Sequence, residues 1–241
     1  MNTFTRLRPL LSILLLGLFL QGCATVEGPT DPEDPFESFN RAMYSFNTTV
    51  DKAILKPAAE GYNAVLPDPV NKGISNFFSN LNDIVVIFND LLQLKLEQGV
   101  HDTARVFFNT TLGLLGFFDV ASAMDLPKHN EDLGQSLGYW GIDTGPYLVL
   151  PLLGPSNIRD TAGLIGDAYV DPMNDINPDD TRTGLILLNV VDTRAGLLSA
   201  SKVLQEAALD EYLFTRDAYL QRRQNLVYDG NPPKPSFDSL D

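Results

Sequence analysis

One pentapeptide in the chain has the residue types and spacing of a serine hydrolase motif. Residues Gly134 to Gly138 read G-Q-S-L-G, which matches the G-x-S-x-G nucleophile elbow centred on Ser136. In α/β-hydrolases the catalytic histidine follows the serine in the chain, whereas His101 and His129 both precede it here. No alternating pattern of strands and helices surrounds the motif. We therefore expect Ser136 to have no nucleophilic role.

Other catalytic and metal-binding patterns are missing from the sequence. It has no Gly-rich phosphate loop, no Cys/His cluster and no H-E-x-x-H motif. The two histidines are far apart, which disfavours a zinc site. We expect no enzyme activity, no metal and no cofactor.

The single cysteine, Cys23, follows a short secretory leader. Arg6 and Arg8 form a basic region, and residues 10–20 form an apolar run. That run is too short to span a bilayer comfortably and is typical of a signal peptide. A lone thiol exported to an oxidising compartment is unusual unless it is modified. The alternative is an ordinary leader with a chance cysteine.

The segment LQGC (20–23) resembles the lipobox of bacterial lipoproteins. In those proteins the cysteine is diacylated, the chain is cut before it, and the new N-terminus is acylated. The resemblance implies a signal peptide over residues 1–22 and lipidation of Cys23. Ala24 stands where an Asp would resemble an inner-membrane retention signal, which implies export to the outer membrane. Each acyl chain contributes roughly 0.8 kcal/mol per buried CH₂, so several form a durable anchor.

Length and charge restrict the remaining classes of function. The chain has 241 residues and a formal net charge of −14 at pH 7. This length fits one domain with a sizeable core, or at most two small ones. The acidity argues against nucleic acid and against adhesion to anionic lipid surfaces. Membrane attachment must therefore come from acyl chains and apolar faces.

The start of the mature chain predicts a tether followed by a helix. Residues 23–34 form the predicted flexible tether, rich in Pro, Asp, Glu, Gly and Thr. Asp34 is the predicted N-cap and Pro35 the first helical residue. An apolar stripe follows at helical spacing: Phe36, Phe39, Met43, Phe46 and Val50. We expect this stripe to face the protein core rather than lipid.

Two segments are more apolar than a small soluble protein needs. Residues 84–96 are apolar on most sides, as in helices buried in protein or in lipid. Residues 106–124 approach the length of a span, but they include Gly113 and Gly116, and glycine costs about 1 kcal/mol relative to alanine in a helix. We expect two short helices joined at a flexible glycine bend, an apolar hairpin that dips into one leaflet. A plain buried helical hairpin is the alternative.

The second half of the chain predicts one extended segment among further helices. Residues 147–150 are predicted to be extended, and residues 154–156 to cap a helix. Residues 181–208 are predicted to be mostly helical, and Asp210 to cap a last helix. Residues 229–241, with three prolines, form a predicted disordered tail. The fold class is therefore mainly α.

The chain resembles the Mla lipoprotein family, also called VacJ, in four motifs. They are DPFESFNR (34–41), FFNTTLGLLGFFDVAS (107–122), LGQSLGYWGIDTGPYLVLPLLGPSNIRD (133–160) and RDAYLQRR (216–223). The resemblance runs from about residue 34 to 228 and implies one helical Mla lipoprotein domain over residues 35–228. It departs from the family at Asn82-Asp83-Ile84, where a Glu-Pro pair usually follows the asparagine.

The resemblance implies a membrane-embedded, ring-like helical domain on the periplasmic side of the outer membrane. Such a ring lies in the inner leaflet and encloses an amphipathic channel. Mislocalised phospholipids leave the outer leaflet through it and are handed to a soluble periplasmic carrier, which delivers them to an inner-membrane ABC transporter. Members also associate with trimeric porins. The implied partners are phospholipid, the outer membrane, a trimeric porin and a periplasmic lipid carrier, with no nucleic acid.

A channel of this kind gives roles to five residues. A headgroup crossing near apolar surroundings needs polar partners, because an unpaired charge in a low dielectric is costly. Arg159, Asp160 and Asp167 interrupt an apolar stretch and are candidates to line the channel. Equally, Arg159 and Asp160 could cap and pair at a helix start. Gly113 and Gly116 are candidates for a gate.

The main alternative is an anchored lipoprotein that scaffolds a porin or the cell envelope and transports nothing. It accounts for the anchor and the acidity, but not for the excess of apolar helical surface.

Overall fold

The computed structural model describes residue 31 and residues 34–233. The predictions for the signal peptide, for Cys23, for nearly all of the tether and for residues 234–241 lie outside the described residues.

The described chain is mainly helical, as predicted, with one short antiparallel β-hairpin. A π-helical turn covers Asp51–Leu55, and 3₁₀ turns cover Ser122–Met124 and Pro172–Asp175. The helices and strands are, in order, α1 (Glu37–Val50), α2 (Lys56–Val65), α3 (Asp68–Leu92), α4 (Leu96–Thr111), α5 (Leu133–Tyr139), β1 (Tyr147–Leu150), β2 (Gly154–Asn157), α6 (Ile158–Asp167), α7 (Asp179–Gly196), α8 (Leu198–Ala207) and α9 (Glu211–Val227).

Side-chain caps start several of these helices. Asp210 accepts hydrogen bonds from the backbone N–H groups of Tyr212 and Leu213, which confirms it as the cap of α9. The helix predicted to follow residues 154–156 starts later, with Asn157 as its cap. The reason is that residues 154–157 pair with the predicted extended segment as β2.

The prediction that Asp34 caps α1 is wrong, because its side chain binds elsewhere. The helix begins at Glu37. One oxygen of Asp34 accepts a 2.7 Å hydrogen bond from Asn40 Nδ2, and the other accepts from the Tyr212 hydroxyl. Asp34 therefore links α1 to α9 and does not cap the start of α1.

The three phenylalanines of the apolar stripe of α1 face outward, contrary to prediction, whereas Met43 packs against the buried apolar cluster as predicted. Phe36, Phe39 and Phe46 are 46%, 49% and 47% exposed. Asn40, on another face of the same helix, is 0% exposed. Its amide donates to the carbonyl oxygen of Tyr147 and accepts from the N–H of Val149, so that α1 is held to β1 by a polar side chain.

The hairpin predicted over residues 106–124 forms only its first helix. After α4 ends at Thr111 the chain makes consecutive turns, with Leu114 and Leu115 at φ values of 52° and 59°. A second helix does not follow because Asp119 accepts from Arg105, Asn109 and Ser122, and thereby folds the segment back onto α4. The antiparallel helical pair is instead α3 with α4, joined by residues 93–95.

Polar contacts, more than apolar packing, fill the interior. Buried polar and charged side chains outnumber buried apolar ones among the described residues. The buried apolar cluster is small and consists of Tyr147, Val149 and Tyr212, with part-buried neighbours from α1 and α9. Large apolar side chains are exposed on most helices. None of the helices in the described part of the chain is long and apolar enough to cross a membrane.

The contacts between elements close into a circuit. In order, α1 contacts β1, β2 contacts α9, α9 contacts α5, α5 contacts α3, α3 contacts α7, and α7 contacts α2, which follows α1 in the chain. A ring-shaped body requires such a circuit. The circuit is compatible with the expected ring.

The predicted tail boundary at residue 229 falls inside a bonded segment. Asp229 Oδ1 lies 2.5 Å from Lys95 Nζ, in the turn between α3 and α4. The N–H of Gly230 donates to the carbonyl oxygen of Asn225. The described body therefore extends past residue 228.

Candidate functional site

A cluster of ionic side chains joins α5, α6 and α9. Arg223 of α9 donates to both oxygens of Asp132, over 2.5 and 2.8 Å, and its Nε lies 2.8 Å from Asp160 Oδ2. Asp160 also accepts from the Tyr219 hydroxyl. Burial opposes ionisation of Asp132, but the Arg223 guanidinium more than compensates and lowers the pKa of that carboxyl below its ordinary value. Because Asp132 caps α5 and Asp160 lies in the first turn of α6, one guanidinium fixes both helix starts.

Arg159 and Asp160 lie together in this cluster, at the start of α6. Arg159 Nη2 is 3.0 Å from Asp160 Oδ1, and Asn157 Oδ1 accepts from the N–H of Asp160. This arrangement corresponds to the alternative in which the two residues pair at a helix start. Both carboxylate oxygens of Asp160 are bound by other side chains of the protein, whereas Arg159 also lines a cavity.

That cavity has a volume of about 710 Å³ and lies between α9, the start of α6 and the loop after α5. Its lining mixes charged and amide side chains with apolar ones: Arg159, Asp143, Asp217, Gln221 and Gln224 with Ile142, Leu220, Val227 and Tyr228. Such a lining suits an amphipathic molecule. Of the three channel candidates, only Arg159 is among its lining residues.

Asp167 lies at the opposite end of α6 from Arg159. Its Oδ1 accepts from Asn89 Nδ2 of α3 and its Oδ2 from the N–H of Leu133, both over 2.9 Å. Burial raises the pKa of this carboxyl. Asp167 therefore links α6 to α3 and α5, and the structure does not bring it together with the Arg159 pair.

The two gate candidates lie in tightly packed turns. Gly116 has a φ of +90°, and a Cβ there would be 2.5 Å from Asn80 Cβ. A Cβ on Gly113 would be 2.1 Å from the carbonyl oxygen of Phe118. The N–H of Phe118 donates to Gly113 over 2.8 Å, so the bend is hydrogen-bonded. Glycine is required here by close approach and a left-handed backbone, not by the flexibility that we expected.

Ser136 is buried and belongs to an amide network. Its hydroxyl donates to Asn89 Oδ1 over 2.7 Å and accepts from Gln93 Nε2 over 3.1 Å. His129 contacts Asp102 instead, through Nδ1. These contacts do not form a Ser-His-Asp triad. The described residues also contain no group of three or more His, Cys, Asp or Glu side chains that could bind a metal ion.

Comparison with known proteins decides the family. Residues 32–226 match the family model of the MlaA lipoproteins. The chain belongs to the MlaA lipoprotein family.

Named MlaA proteins resemble the chain over most of its length. It is 37% identical over 234 residues to the "Intermembrane phospholipid transport system lipoprotein MlaA" of Escherichia coli (strain K12), with 93% of this chain and 91% of that protein covered. The protein of the same name from Haemophilus influenzae is 33% identical over 230 residues, with 92% of each covered. A structure solved under the heading "Structural basis for maintenance of bacterial outer membrane lipid asymmetry" matches with a TM-score of 0.71 and 33% identity, covering 82% of this chain and 99% of that one.

In this MlaA family member, sequence reasoning missed a row of polar side chains inside the α3–α4 pair. Asn80, Asp83, Asn89, Asp90, Asp102, Arg105 and Asn109 are all buried. Their signal was present in the spacing, because Asp102, Arg105 and Asn109 recur at intervals of three and four along α4. These side chains form the inward face of the helical pair.

Proposed function

We propose that the protein is an outer-membrane lipoprotein that removes mislocalised phospholipids from the outer leaflet and passes them through an amphipathic channel to a periplasmic carrier. Family membership supports this proposal, as do relatives that are named for intermembrane phospholipid transport. In the proposal, residues 1–22 are removed, Cys23 carries the acyl anchor, and the body lies on the periplasmic side beside a trimeric porin. This transport would maintain the lipid asymmetry of the outer membrane.

The reversed distribution of polar and apolar side chains is the observation that carries the proposal. Phe107, Leu114 and Leu152 are exposed, while Asn89, Asp102 and Arg105 are buried. Exposing a large apolar side chain to water forfeits about 1.5–3 kcal/mol, which a lipid surrounding restores. Helices surrounded by lipid cannot gain from the hydrophobic effect among themselves, so close packing and polar contacts hold them together.

Embedding in one leaflet fits both the apolar faces and the helix lengths. Ile84, Phe88 and Leu91 are exposed at helical spacing along α3, and Val100 and Phe107 along α4. Amphipathic helices of this kind lie in the plane of the interface with their apolar faces in the acyl region. We propose lipid contact through the segments 84–96 and 106–124.

The same contacts support a proposal for the channel wall and the gate. We propose that Arg159 contacts the passing headgroup at the 710 Å³ cavity, and that Asp160 and Asp167 support the wall from within the protein. The gate is the turn segment 112–118, which contains Gly113 and Gly116. Its backbone hydrogen bonds run within the segment and to the end of α4, so the segment would move as a unit.

A truncated variant that begins at Asp31, exported without Cys23, tests the proposal. We expect it to remain with the membrane fraction, to need detergent for purification, and to co-purify with phospholipid. Matched Phe39→Ser and Phe107→Ser changes should weaken membrane retention, while Asn63→Ser at an exposed polar site should not. A truncated protein that is monomeric and lipid-free in plain buffer would support the scaffolding alternative instead.

A further inference from the structure

Two carboxyl groups face each other where α3 packs against α4. Asp90 and Asp102 are each 0% exposed, and the Asp102 carboxyl lies within hydrogen-bonding reach of Asp90. Gly99 permits the approach, since a Cβ there would be 3.3 Å from Asp90 Cβ. The proposed phospholipid transport assigns no task to this pair.

Each carboxyl has one external donor and one oxygen without any. Asp90 Oδ1 accepts from Gln98 Nε2 over 2.8 Å, and Asp102 Oδ2 lies 2.8 Å from His129 Nδ1. Asp90 Oδ2 and Asp102 Oδ1 are buried without a hydrogen-bond donor. Two buried carboxylates in contact cannot both ionise without a large cost, whereas one proton between them forms a hydrogen bond and removes one charge.

The surrounding charged groups do not neutralise the repulsion between the two carboxylates. The segment before α5 contributes Glu131, a third carboxyl that also acts on Asp90. Lys95, from the turn between α3 and α4, is bound to Glu131 and Asp229. From α5, Ser136 reaches the region only through Gln93.

We propose that Asp90 and Asp102 form a proton-binding pair, which holds one proton in mildly acidic solution and thereby fastens α3 to α4. His129 contacts Asp102, and Gln98 donates to both Asp90 and Glu131. The shared proton therefore also stabilises the position of the 129–131 segment, which leads into α5. Loss of the proton leaves two facing carboxylates and loosens this junction. The pair is thus a pH-sensitive fastening within the membrane-facing helical pair.

The pH range follows from Asp90. Burial, together with the neighbouring Asp102, raises the pKa of Asp90 to about 7. The folded protein then keeps a proton that the unfolded chain releases near pH 4. The stabilising contribution is complete below pH 4 and is lost as the pH rises to about 7.

Infrared spectroscopy of the purified protein in detergent tests the pair directly. We expect the C=O stretch of a protonated carboxylic acid in the wild type at pH 6, and its loss by pH 8. Asp90→Asn should abolish it, because the amide replaces the shared proton as donor; Asp102→Asn should do the same. Asp180→Asn, at an exposed position in the first turn of α7, should leave it unchanged. A wild type without this band at pH 6, or a band unaffected by both variants, would overturn the proposal.

Thermal unfolding gives the second measurement. The wild-type midpoint should fall by about 5 °C between pH 5 and pH 7.5. The midpoint of Asp90→Asn should change much less over that range. Equal pH dependence in the two proteins would contradict the proposal even if both fold.

Discussion

Arg223 of α9 binds both oxygens of Asp132, a residue 91 positions earlier in the chain, over 2.5 and 2.8 Å. The same guanidinium contacts Asp160, so that the starts of α5 and α6 are both fixed to α9. In a protein with a small buried apolar cluster and many exposed apolar side chains, such ionic contacts supplement the apolar core.

Replacing Arg223 by Met should destabilise the protein by about 3–5 kcal/mol, because it leaves Asp132 without its cation and leaves Asp160 with Arg159 alone. The measurement is the thermal midpoint in detergent at pH 7. The neighbouring Arg222→Met, at an exposed position, is the matched control and should change little. A small effect of Arg223→Met would show that the cluster does not hold the helices.

Asn40→Ala should cost far more than Phe39→Ala in detergent. The first change removes bonds to Asp34, Tyr147 and Val149, and leaves buried groups unpaired at about 1–3 kcal/mol each. The second truncates an outward-facing ring. Chemical denaturation of both variants in micelles decides between them, and the opposite order would mean that α1 buries its apolar stripe.

Gly116→Ala should destabilise the protein, because Ala is strained at a φ of +90° and its Cβ would collide with Asn80. Gly184→Ala is the control, since nothing lies within 4 Å of its Cβ position in α7. The control should stabilise by about 0.5–1 kcal/mol through helix propensity. If Gly116→Ala matched that gain, the turn would be looser than the structure indicates.

Acid should weaken the protein through Asp132 and Asp119. The pKa of each is lowered despite burial, Asp132 by Arg223 and Asp119 by Ser122, Asn109 and Arg105. A carboxyl with a lowered folded-state pKa stabilises above its ordinary value of about 4, and this stabilisation is lost as the pH falls below it. Unfolding midpoints between pH 5 and pH 2.5 should drop steeply in the wild type and less in Arg223→Met.

Cys23→Ala should block normal maturation of the exported chain. Mass spectrometry of the mature N-terminus should find an acylated Cys23 in the wild type and uncleaved leader in the variant. An unmodified thiol, or cleavage at another bond, would remove the argument for an acyl anchor.

The sequence predicted helix positions better than helix faces. The helical prediction for residues 181–208 covers most of α7 and α8, and Asp210 was predicted correctly as the cap of α9. Periodicity alone could not decide which face of α1 lies inside, because it separates the face with Phe39 from the face with Asn40 without showing which of the two packs on the protein. The bond between Arg223 and Asp132 has no periodic signal, since it joins distant elements.

The most direct test is the outer-leaflet phospholipid content of cells that lack the protein and carry one variant each. Wild type should restore a low content, and Arg159→Gln at equal protein level should restore it only in part, because headgroup passage slows. Ser136→Ala, at equal level, should restore it fully, since Ser136 has no nucleophilic role. Unchanged lipid asymmetry in cells without the protein would contradict the proposed transport.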